Sequence, residues 1–379
     1  MNKIPKEIVL VPNIGFQLQI PAEYDEEFKD NLIKAFNILL EKKDYLGSYL
    51  KIKEVLASKE LSIFEVPFMR SLLPIYMKKL VPDMHTYMLN DKSRNDSFHK
   101  AISKALKNKD KKVILDIGSG SGILAMMCAD AGEGNEEIVA CEVNPLVADL
   151  CEMVLKENDM LKKVSLVKKK SSFLEIGEDI TEKADILITE TIADNVISEG
   201  IINTVNHAHD NLLKDGATLI PKRASLRAFL VENENLKDQS KFPESVNGFG
   251  VMCMKQIFND NFLYPSEYFV KNTNLNKHLS DSIELFEFDF TKKIDTNKEK
   301  ISEIEITNSG TLHGLILYFI LNVDDEIEIN SLNETSCWIP KFIPFYESKE
   351  VSKGEKIEIG HSYISGLPFI NIDWRITND

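Results

Sequence analysis

The feature that most constrains the fold is an alternation of short apolar runs and amphipathic stretches through the middle of the chain. Each run has the length of a buried β-strand, and each intervening stretch is long enough for a crossover helix. Such alternation predicts a parallel sheet with helices on both faces. The five predicted strands are KVILDIG (112–118), EIVACEV (137–143), VSLVKK (164–169), ADILITE (184–190) and ATLIPKRA (217–224).

The character of the sequence changes after Pro221. From residue 223 to residue 379, short segments alternate apolar and polar residues, and turn residues separate many of them. Many short strands in series predict an antiparallel β-domain, a barrel or a sandwich. Residues 248–272 interrupt the series. Near the start of the chain, residues 23–62 carry apolar side chains at helical spacing, which predicts helices.

A glycine-rich turn follows the first predicted strand, in VILDIGSGSGILAM. Gly118, Gly120 and Gly122 allow the backbone to turn tightly and to approach a ligand closely. Asp116 precedes the first glycine by two residues. Glu142 ends the next strand, where an acid can accept both hydroxyl groups of a ribose. We therefore predict a nucleoside-containing cofactor at this turn.

The glycine spacing favours one cofactor over another. G-x-G-x-G differs from the G-x-G-x-x-G of dinucleotide-binding turns, which cradle a pyrophosphate. S-adenosylmethionine has no phosphates, so we predict S-adenosylmethionine, with a dinucleotide or a plain α/β turn as alternatives. Ser171 and Ser172 end the third strand and are candidates for the adenine site. The alternative is that they only start a loop.

The stretch ADILITETIADNVISEG places two glutamates on one loop. Glu190 ends the fourth predicted strand, at the sheet edge where Rossmann-like folds bind ligands. Glu199 follows nine residues later, and the loop can return it to the same place. Two carboxylates fit guanidinium, a planar cation with several N–H donors. By concentrating its charge on some nitrogens, they leave another able to attack a methyl group. The alternative is a pair of solvated loop acids.

The composition excludes several classes of partner. The formal net charge of −15 argues against nucleic acid and favours cationic substrates, unless it serves solubility alone. Five cysteines without a C-x-x-C pair indicate a reducing compartment, and the histidines form no H-E-x-x-H, so we predict no metal. No apolar run is long enough to cross a bilayer, and the start lacks the apolar core of a signal peptide. We expect a cytoplasmic protein without a membrane partner.

Four segments together resemble the protein arginine N-methyltransferases, over roughly residues 76–379. They are HTYMLNDKSRN (85–95), VILDIGSGSGIL followed by ACEVN, the loop with Glu190 and Glu199, and GTLHGLILYF (310–319) with SCWIPKF (336–342). The resemblance implies the α/β class: a Rossmann-like S-adenosylmethionine-dependent methyltransferase domain followed by an antiparallel β-barrel, with a helical N-terminal segment. The boundaries that we predict are 1–75 for the helical region, 76–222 for the cofactor domain and 223–379 for the β-barrel substrate domain, with an inserted arm at about 248–272.

The resemblance also implies three further cofactor contacts, in the segment HTYMLNDKSRN. His85, Met88 and Arg94 would contact S-adenosylmethionine, and Arg94 would hold its methionine carboxylate by a charge-assisted pair. The alternatives are a core position for Met88 and a surface charge for Arg94.

For the substrate, the resemblance makes Glu190 and Glu199 the residues that hold the guanidinium of arginine. Trp338 would line the arginine channel and stack on the cation. The alternative for Trp338 is an aromatic residue of the β-domain core.

Two departures from the family bear on the product. Cys337 stands where the family has a histidine that pairs with the acid matching Asp91. A thiol with a pKa of about 8.5 does not replace imidazole, so we expect no histidine–aspartate proton relay. Gly200-Ile201 follows Glu199, where many dimethylating members have a methionine nearby, and their tyrosine-rich helix is not evident before HTYMLNDKSRN. We therefore expect ω-monomethylarginine.

The acceptor and the assembly have alternatives of their own. The family mostly modifies arginine in proteins, and some relatives methylate free L-arginine, which is the alternative substrate. A small-molecule methyltransferase without guanidinium specificity and a non-catalytic scaffold are the other two alternatives. Family members usually form dimers through an arm in the β-domain, so we expect a homodimer in which residues 248–272 or 23–62 make the contact.

Overall fold

The computed structural model describes most of the 379-residue chain. The described residues are 6–10, 17–21, 25–32, 34, 45–60, 84–107, 112–240, 244–251, 268–269, 276–333, 336–367 and 370–376. By internal packing the chain divides into two units. One comprises Met1–Thr86 and Asn144–Leu150, and the other comprises Tyr87–Val143 and Cys151–Asp379.

The first unit contains two strands as well as helices. Strand β1 (Lys6–Leu10) pairs with β2 (Gln17–Pro21) in antiparallel register. Residues 26–32 are helical, and α1 spans Tyr45–Ala57. The helical prediction for 1–75 therefore missed the two strands, in which each segment pairs its backbone N–H and C=O groups with those of the other. Residues 61–75 of that prediction lie outside the described residues.

A five-stranded parallel sheet organises the second unit and confirms the predicted Rossmann-like architecture. Its order is β5-β4-β3-β6-β7, so β4 and β5 lie on one side of β3, and β6 and β7 lie on the other. The chain therefore crosses over between β3 and β6. In folds of this kind, ligands bind beyond the carboxyl ends of the strands at that crossover point. The strands are β3 (Val113–Ile117), β4 (Glu137–Cys141), β5 (Val164–Val167), β6 (Ala184–Thr189) and β7 (Leu213–Ile220).

Helices precede and connect these strands. Every residue of β3, including Asp116, is buried, as expected of a central parallel strand. The helix α3 places Phe98, Ala101 and Ile102 in the same core. The helices are α2 (Met84–Asn90), α3 (Lys92–Ala105), α4 (Ile123–Ala131), α5 (Pro145–Glu157) and α6 (Ile201–Asn211).

Antiparallel sheets form most of what the structure describes after β7, as the period-two alternation predicted. One sheet has the order β11-β17-β15-β8-β12, with β13 on β8 and β16 on β15, and another has the order β14-β18-β19. The strands are β8 (Arg223–Glu232), β11 (Tyr268–Phe269), β12 (Lys277–His278), β13 (Ile283–Asp289), β14 (Asn297–Glu305), β15 (Gly310–Asn322), β16 (Glu328–Asn330), β17 (Lys341–Val351), β18 (Lys356–Ile364) and β19 (Ile370–Ile376).

The core between these strands is aromatic and continuous with the Rossmann-like core. Phe286, Phe288 and Phe319 are fully buried, and the ring of Phe286 meets Tyr363 edge to face at 4.9 Å. Aromatic pairs at this separation add stabilisation beyond the area that they bury. Because one core runs through both parts, loops from the Rossmann-like sheet and from the β-domain are held against each other.

The predicted inserted arm is described only at its ends. Helix α7 (Glu234–Ser240) leads to a hairpin of β9 (Ser245–Val246) and β10 (Phe249–Gly250). Asn247 and Gly248 turn this hairpin with positive φ angles of 52° and 85°, as Asn-Gly turns do. Residues 252–267 lie outside the described residues.

Candidate active site

The glycine-rich turn has the backbone conformation that its sequence predicts. Gly118, Gly120 and Gly122 all have positive φ angles, of 76°, 55° and 80°. A Cβ atom on Gly118 would lie 2.5 Å from Cγ2 of Thr191, and one on Gly122 would lie 2.8 Å from Sγ of Cys151. Glycine is therefore required at both positions for space as well as for conformation.

Glu142 is bound to this turn. One of its carboxylate oxygens, Oε2, accepts a hydrogen bond from the N–H of Gly120 at 3.0 Å, and the residue is buried. The end of β4 and the turn after β3 are thus joined. Glu142, the predicted acceptor of the ribose hydroxyls, therefore lies beside the glycine-rich turn.

Polar atoms at the turn lack partners within the described part of the chain. Both carboxylate oxygens of Asp116 and the hydroxyl of Ser119 are buried without a hydrogen bond there. Burial raises the pKa of Asp116 to about 7. Unpaired buried polar groups are costly, and a ligand with hydroxyl or amine donors would satisfy them. The turn therefore fits a nucleoside cofactor.

Arg94 forms a buried ion pair with Glu190. Its Nη2 lies 2.7 Å from Oε2 of Glu190, and both side chains are 3% exposed. Asp91 begins α3 by accepting the N–H of Arg94 at 2.9 Å. The Nε atom of Arg94 is buried without a partner among the described residues. Arg94 is therefore not a surface charge, and it keeps a donor for a further anion such as a carboxylate.

The two glutamates differ in environment. Burial raises the pKa of Glu190, and the neighbouring Arg94 guanidinium opposes that effect. Glu199, taken as a whole residue, is exposed to solvent. The protein packed around its carboxyl group, with the negative charges of Glu190 and Asp194, raises the pKa of Glu199 to about 7. The loop therefore brings both acids within electrostatic range of each other.

The loop between the glutamates has a strained backbone and internal bonds. Val196 is fully buried at a φ of 74°, a conformation that is costly for a β-branched residue. Its N–H donates to the carbonyl of Ala193 at 2.7 Å. The side chain of Asn195 accepts the N–H of Ser198 at 3.1 Å. Gly200, at a φ of 87°, then begins α6.

A segment of the β-domain fixes this loop from the other side. The indole Nε1 of Trp338 donates to the carbonyl of Ile192 at 2.7 Å, and the N–H of Ile339 donates to Asp194 at 2.8 Å. The N–H of Cys337 donates to Asp91 at 2.8 Å. Sequence reasoning missed these contacts, since they join residues that lie 145 or more positions apart.

Trp338 is 4% exposed, between Phe319 and the Arg94 guanidinium. Its ring meets that of Phe319 edge to face at 5.2 Å, and the guanidinium carbon of Arg94 lies 6.0 Å from its ring centroid. Trp338 thus has a structural place in the core, next to the ion pair. Its predicted stacking on substrate arginine stays a prediction.

Four further residues predicted to contact the cofactor are Met88, Ser171, Ser172 and His85. Met88 is half-buried on α2, one turn before Asp91. Ser171 and Ser172 begin a short 3₁₀ helix after β5 and are half-buried. His85 belongs to the first unit. The cofactor roles of all four stay predictions.

Cys337 does not take over the chemistry of a histidine. Burial foremost, and the negative charge of Glu190, raise the pKa of its thiol far above the ordinary value, so the thiol is neutral near pH 7. Asp91, the acid next to it, accepts hydrogen bonds from two backbone N–H groups.

Within the described residues no group of histidine, cysteine or acidic side chains could hold a metal ion. No described helix is long and apolar enough to cross a membrane.

The fold and this site define a class of architecture: a Rossmann-like domain with a glycine-rich turn and two glutamates at the carboxyl edge of its sheet, joined to an antiparallel β-domain. Residues 100–221 match the family model described as ribosomal protein L11 methyltransferase (PrmA). A Trypanosoma brucei structure, a PRMT1 enzyme–prozyme heterotetrameric complex with AdoHcy, contains a similar fold, with a TM-score of 0.62 and 20% identity. That similarity covers 77% of this chain and 96% of the other.

Three curated relatives of the chain are enzymes named for arginine. Protein arginine N-methyltransferase 1.6 of Arabidopsis thaliana is 33% identical over 73% of this chain and 41% of its own length. Protein arginine N-methyltransferase 7 of rice (subspecies indica) is 32% identical over 62% of this chain and 34% of its own length. The arginine N(omega)-methyltransferase of Streptomyces achromogenes is 28% identical over 74% of this chain and 76% of its own length.

These relatives confirm the resemblance that the motifs predicted. The chain is similar to the arginine N-methyltransferases both in sequence and in fold. It spans well under half the length of the two plant relatives and about three quarters of the Streptomyces one.

Proposed function

We propose that the chain is an S-adenosylmethionine-dependent methyltransferase that methylates an ω-nitrogen of arginine in a protein or peptide. One observation carries the proposal: Glu190 is fixed by Arg94 at the end of β6, close enough to Glu199 for their charges to interact, on a loop that touches the cofactor turn through Thr191. The names of the curated relatives support it.

The residues at the turn fit S-adenosylmethionine. Gly118 and Gly120 would line its nucleoside, Glu142 would accept its ribose hydroxyls, and Arg94 would pair with its carboxylate. Asp116 and Ser119 offer unpaired polar atoms for its remaining donors. Once bound, this cofactor supplies an electrophilic methyl group on a sulfonium.

The glutamates would orient the substrate guanidinium. Glu190 already gives one oxygen to Arg94, so its other oxygen is the one that we assign to a substrate N–H. Glu199 would accept N–H groups on the second side. Two anions on one cation fix its plane and aim the third nitrogen at the methyl group, which is catalysis by orientation and electrostatics.

Methylation of guanidinium releases one proton, because a new N–C bond replaces an N–H bond and the product is again a cation. Glu199 can hold that proton, since its pKa of about 7 lets it change protonation state near neutrality. The Cys337 thiol is neutral, and Asp91 already accepts hydrogen bonds from two backbone N–H groups, so we assign no proton relay to this pair. We propose ω-monomethylarginine as the product, and a dominant dimethylated product in a mass-spectrometric time course would contradict this.

Free L-arginine is the second candidate substrate. The observation that favours it is the match to the Streptomyces arginine N(omega)-methyltransferase, which extends over 76% of that relative, against 41% and 34% of the two plant relatives. The same two glutamates would then hold the guanidinium of a free amino acid.

A turnover assay with isotopically labelled S-adenosylmethionine tests both substrates. It compares free L-arginine with an arginine- and glycine-rich peptide at equal concentrations of arginine groups. Label in the peptide alone supports protein methylation, and label in free arginine supports the second candidate. If neither acceptor is labelled, although the protein binds S-adenosylmethionine, arginine methylation is wrong.

We also propose that the protein is a cytoplasmic homodimer. The described cysteines Cys128, Cys141, Cys151 and Cys337 are free thiols, as in a reducing compartment. The exposed hairpin of β9 and β10, with Phe249 at 76% exposure, offers apolar surface for a second copy. A monomer mass in light scattering at micromolar concentration would contradict the dimer.

A further inference from the structure

Asp194 lies midway along the loop that joins the two glutamates, and it bonds that loop to the β-domain. Its Oδ1 accepts the N–H of Ile339 at 2.8 Å, and its Oδ2 lies 3.4 Å from Nζ of Lys341. The side chains of Asp194 and Lys341 are 26% and 13% exposed. The pair is thus mostly shielded from solvent, where charged contacts are stronger than on an open surface.

This anchor is close to a second one. Trp338 donates its indole N–H to Ile192, two residues before Asp194. The loop is therefore held at two points by one short stretch of the β-domain, residues 338–341. Neither bond involves Glu190 or Glu199 directly.

Beyond Asp194 the loop has little freedom to absorb a displacement. Val196 is buried and bonded back to Ala193, and Asn195 is buried and bonded to Ser198. Well-packed, internally bonded segments move as a unit. A shift at Asp194 would therefore be transmitted to Glu199.

Two negative charges on its own loop, those of Glu190 and Asp194, act on Glu199. Arg94 of helix α3 pairs with Glu190, and Lys341 of the β-domain pairs with Asp194. Arg94 and Lys341 each offset one of those two negative charges.

We propose that Asp194 is the positioning residue of the two-glutamate loop, and that its balance with Lys341 sets the charge on Glu199. The inference rests on the proposed methyl transfer to arginine. Asp194 would act through Glu199 and through the loop backbone. It contacts no reacting atom in this assignment.

Two variants with opposite charge effects test the proposal. Asp194→Asn keeps an oxygen for the N–H of Ile339 but removes the negative charge and leaves Lys341 positive, so the acid limb of the kcat/KM profile should move to lower pH. Lys341→Met leaves Asp194 uncompensated, so the acid limb should move to higher pH. Each shift should be roughly half a pH unit or more.

A third variant tests the backbone bond. Asp194→Ala removes the acceptor as well as the charge, and displacement of the loop should lower kcat about 10- to 100-fold at the optimal pH. Asp194→Asn should retain most of kcat there. Asp210→Asn is the matched control. Asp210 lies on α6 in an exposed pair with Lys293, and the substitution removes the same charge there. It should leave the rate and the profile unchanged.

The outcomes separate this inference from the proposed function. Opposite shifts in Asp194→Asn and Lys341→Met, with wild-type thermal unfolding, support it. Unchanged profiles in both, or shifts in the same direction, overturn it even if the wild type methylates arginine. A wild-type protein that methylates neither arginine nor the peptide overturns the proposed function and this inference together.

Discussion

At the scale of single residues, the unequal surroundings of the two glutamates divide their roles. Glu190 is buried with Arg94 at 2.7 Å, whereas Glu199 reaches solvent. Replacing Glu190 by glutamine should leave Arg94 as an unpaired buried charge, which lowers stability as well as activity. Replacing Glu199 should lower activity alone. We expect a loss of at least about 100-fold in kcat/KM for each variant.

Two measurements check this prediction: turnover with labelled S-adenosylmethionine, and thermal unfolding of the same preparations. Glu190→Gln should lower both activity and melting temperature, while Glu199→Gln should melt like the wild type. The exposed Glu178 provides a control of the same chemistry, because Glu178→Gln lies outside the site. Near-normal turnover in either site variant would contradict the paired-carboxylate model.

The raised pKa of Glu199 predicts a pH dependence. Only the ionised carboxylate binds guanidinium, so kcat/KM should fall as pH drops through about 7 and Glu199 becomes protonated. The profile of Glu199→Gln should lose that limb, because glutamine does not titrate. A wild-type profile that stays flat down to pH 5.5 would show that Glu199 is ionised throughout.

At the scale of elements, the sequence was sufficient to predict the strands and turns that a local pattern of residues defines. Period-two alternation and mostly apolar runs identified most strands of the second unit, and G-x-G-x-G located the turn with three positive φ angles. It was insufficient for Asp91, Ile192 and Asp194. Their partners lie in the distant segment 337–339, and no local pattern distinguishes an acid that binds a remote backbone N–H from a solvated one.

Asp91 connects two elements, which gives a stability prediction. It caps α3 through the N–H of Arg94 and also accepts the N–H of Cys337. Asp91→Ala removes both bonds and leaves two N–H groups unpaired, so the free energy of unfolding should fall by about 2–4 kcal/mol. Chemical denaturation measures this value.

The control for Asp91 is an acid on the same helix. Asp96 is exposed and pairs with Lys92, so Asp96→Ala should leave the free energy of unfolding nearly unchanged. Equal effects of the two substitutions would mean that the cap and the bond to Cys337 contribute little.

The cofactor turn and the two-glutamate loop touch at Gly118 and Thr191. In Gly118→Ala, the added Cβ would lie 2.5 Å from Cγ2 of Thr191, in a backbone conformation with a φ of 76°. We expect weaker binding of S-adenosylmethionine, measured by calorimetry, by about tenfold or more.

A second substitution separates the two causes. Thr191→Ser removes Cγ2, so Gly118→Ala with Thr191→Ser should recover the part of the affinity lost to the steric clash, while the part lost to backbone strain remains. Thr191→Ser alone should bind the cofactor like the wild type. If the double variant binds no better than Gly118→Ala, strain accounts for the whole loss.

At the scale of the whole molecule, the site is assembled from distant parts of the chain. Helix α3, the ends of β3, β4 and β6, and the segment before β17 each contribute residues, and one continuous core holds them together. The resemblance of motifs could predict that Arg94, Glu190 and Trp338 belong to one site, and their roles there stay predictions. The ion pair of Arg94 with Glu190, rather than with a cofactor alone, follows only from how these parts pack.

The net charge of −15 acts on the whole molecule and predicts a difference between substrates. A basic peptide carries several positive charges and should be attracted over distances that salt screens, with a Debye length of about 10 Å at 0.1 M. Raising the ionic strength from 0.05 to 0.3 M should therefore increase KM for an arginine-rich peptide by about 3- to 10-fold. KM for free arginine, which has one net charge, should change by less than about twofold.

The value of kcat should stay constant in this experiment, because the Glu190–Arg94 pair is 3% exposed and screened little by salt. A peptide with one arginine among neutral residues separates charge from length and should behave like free arginine. If KM for the basic peptide does not respond to salt, the acidic surface does not attract the substrate. The charge would then serve solubility, and recognition would depend on contacts at the two glutamates.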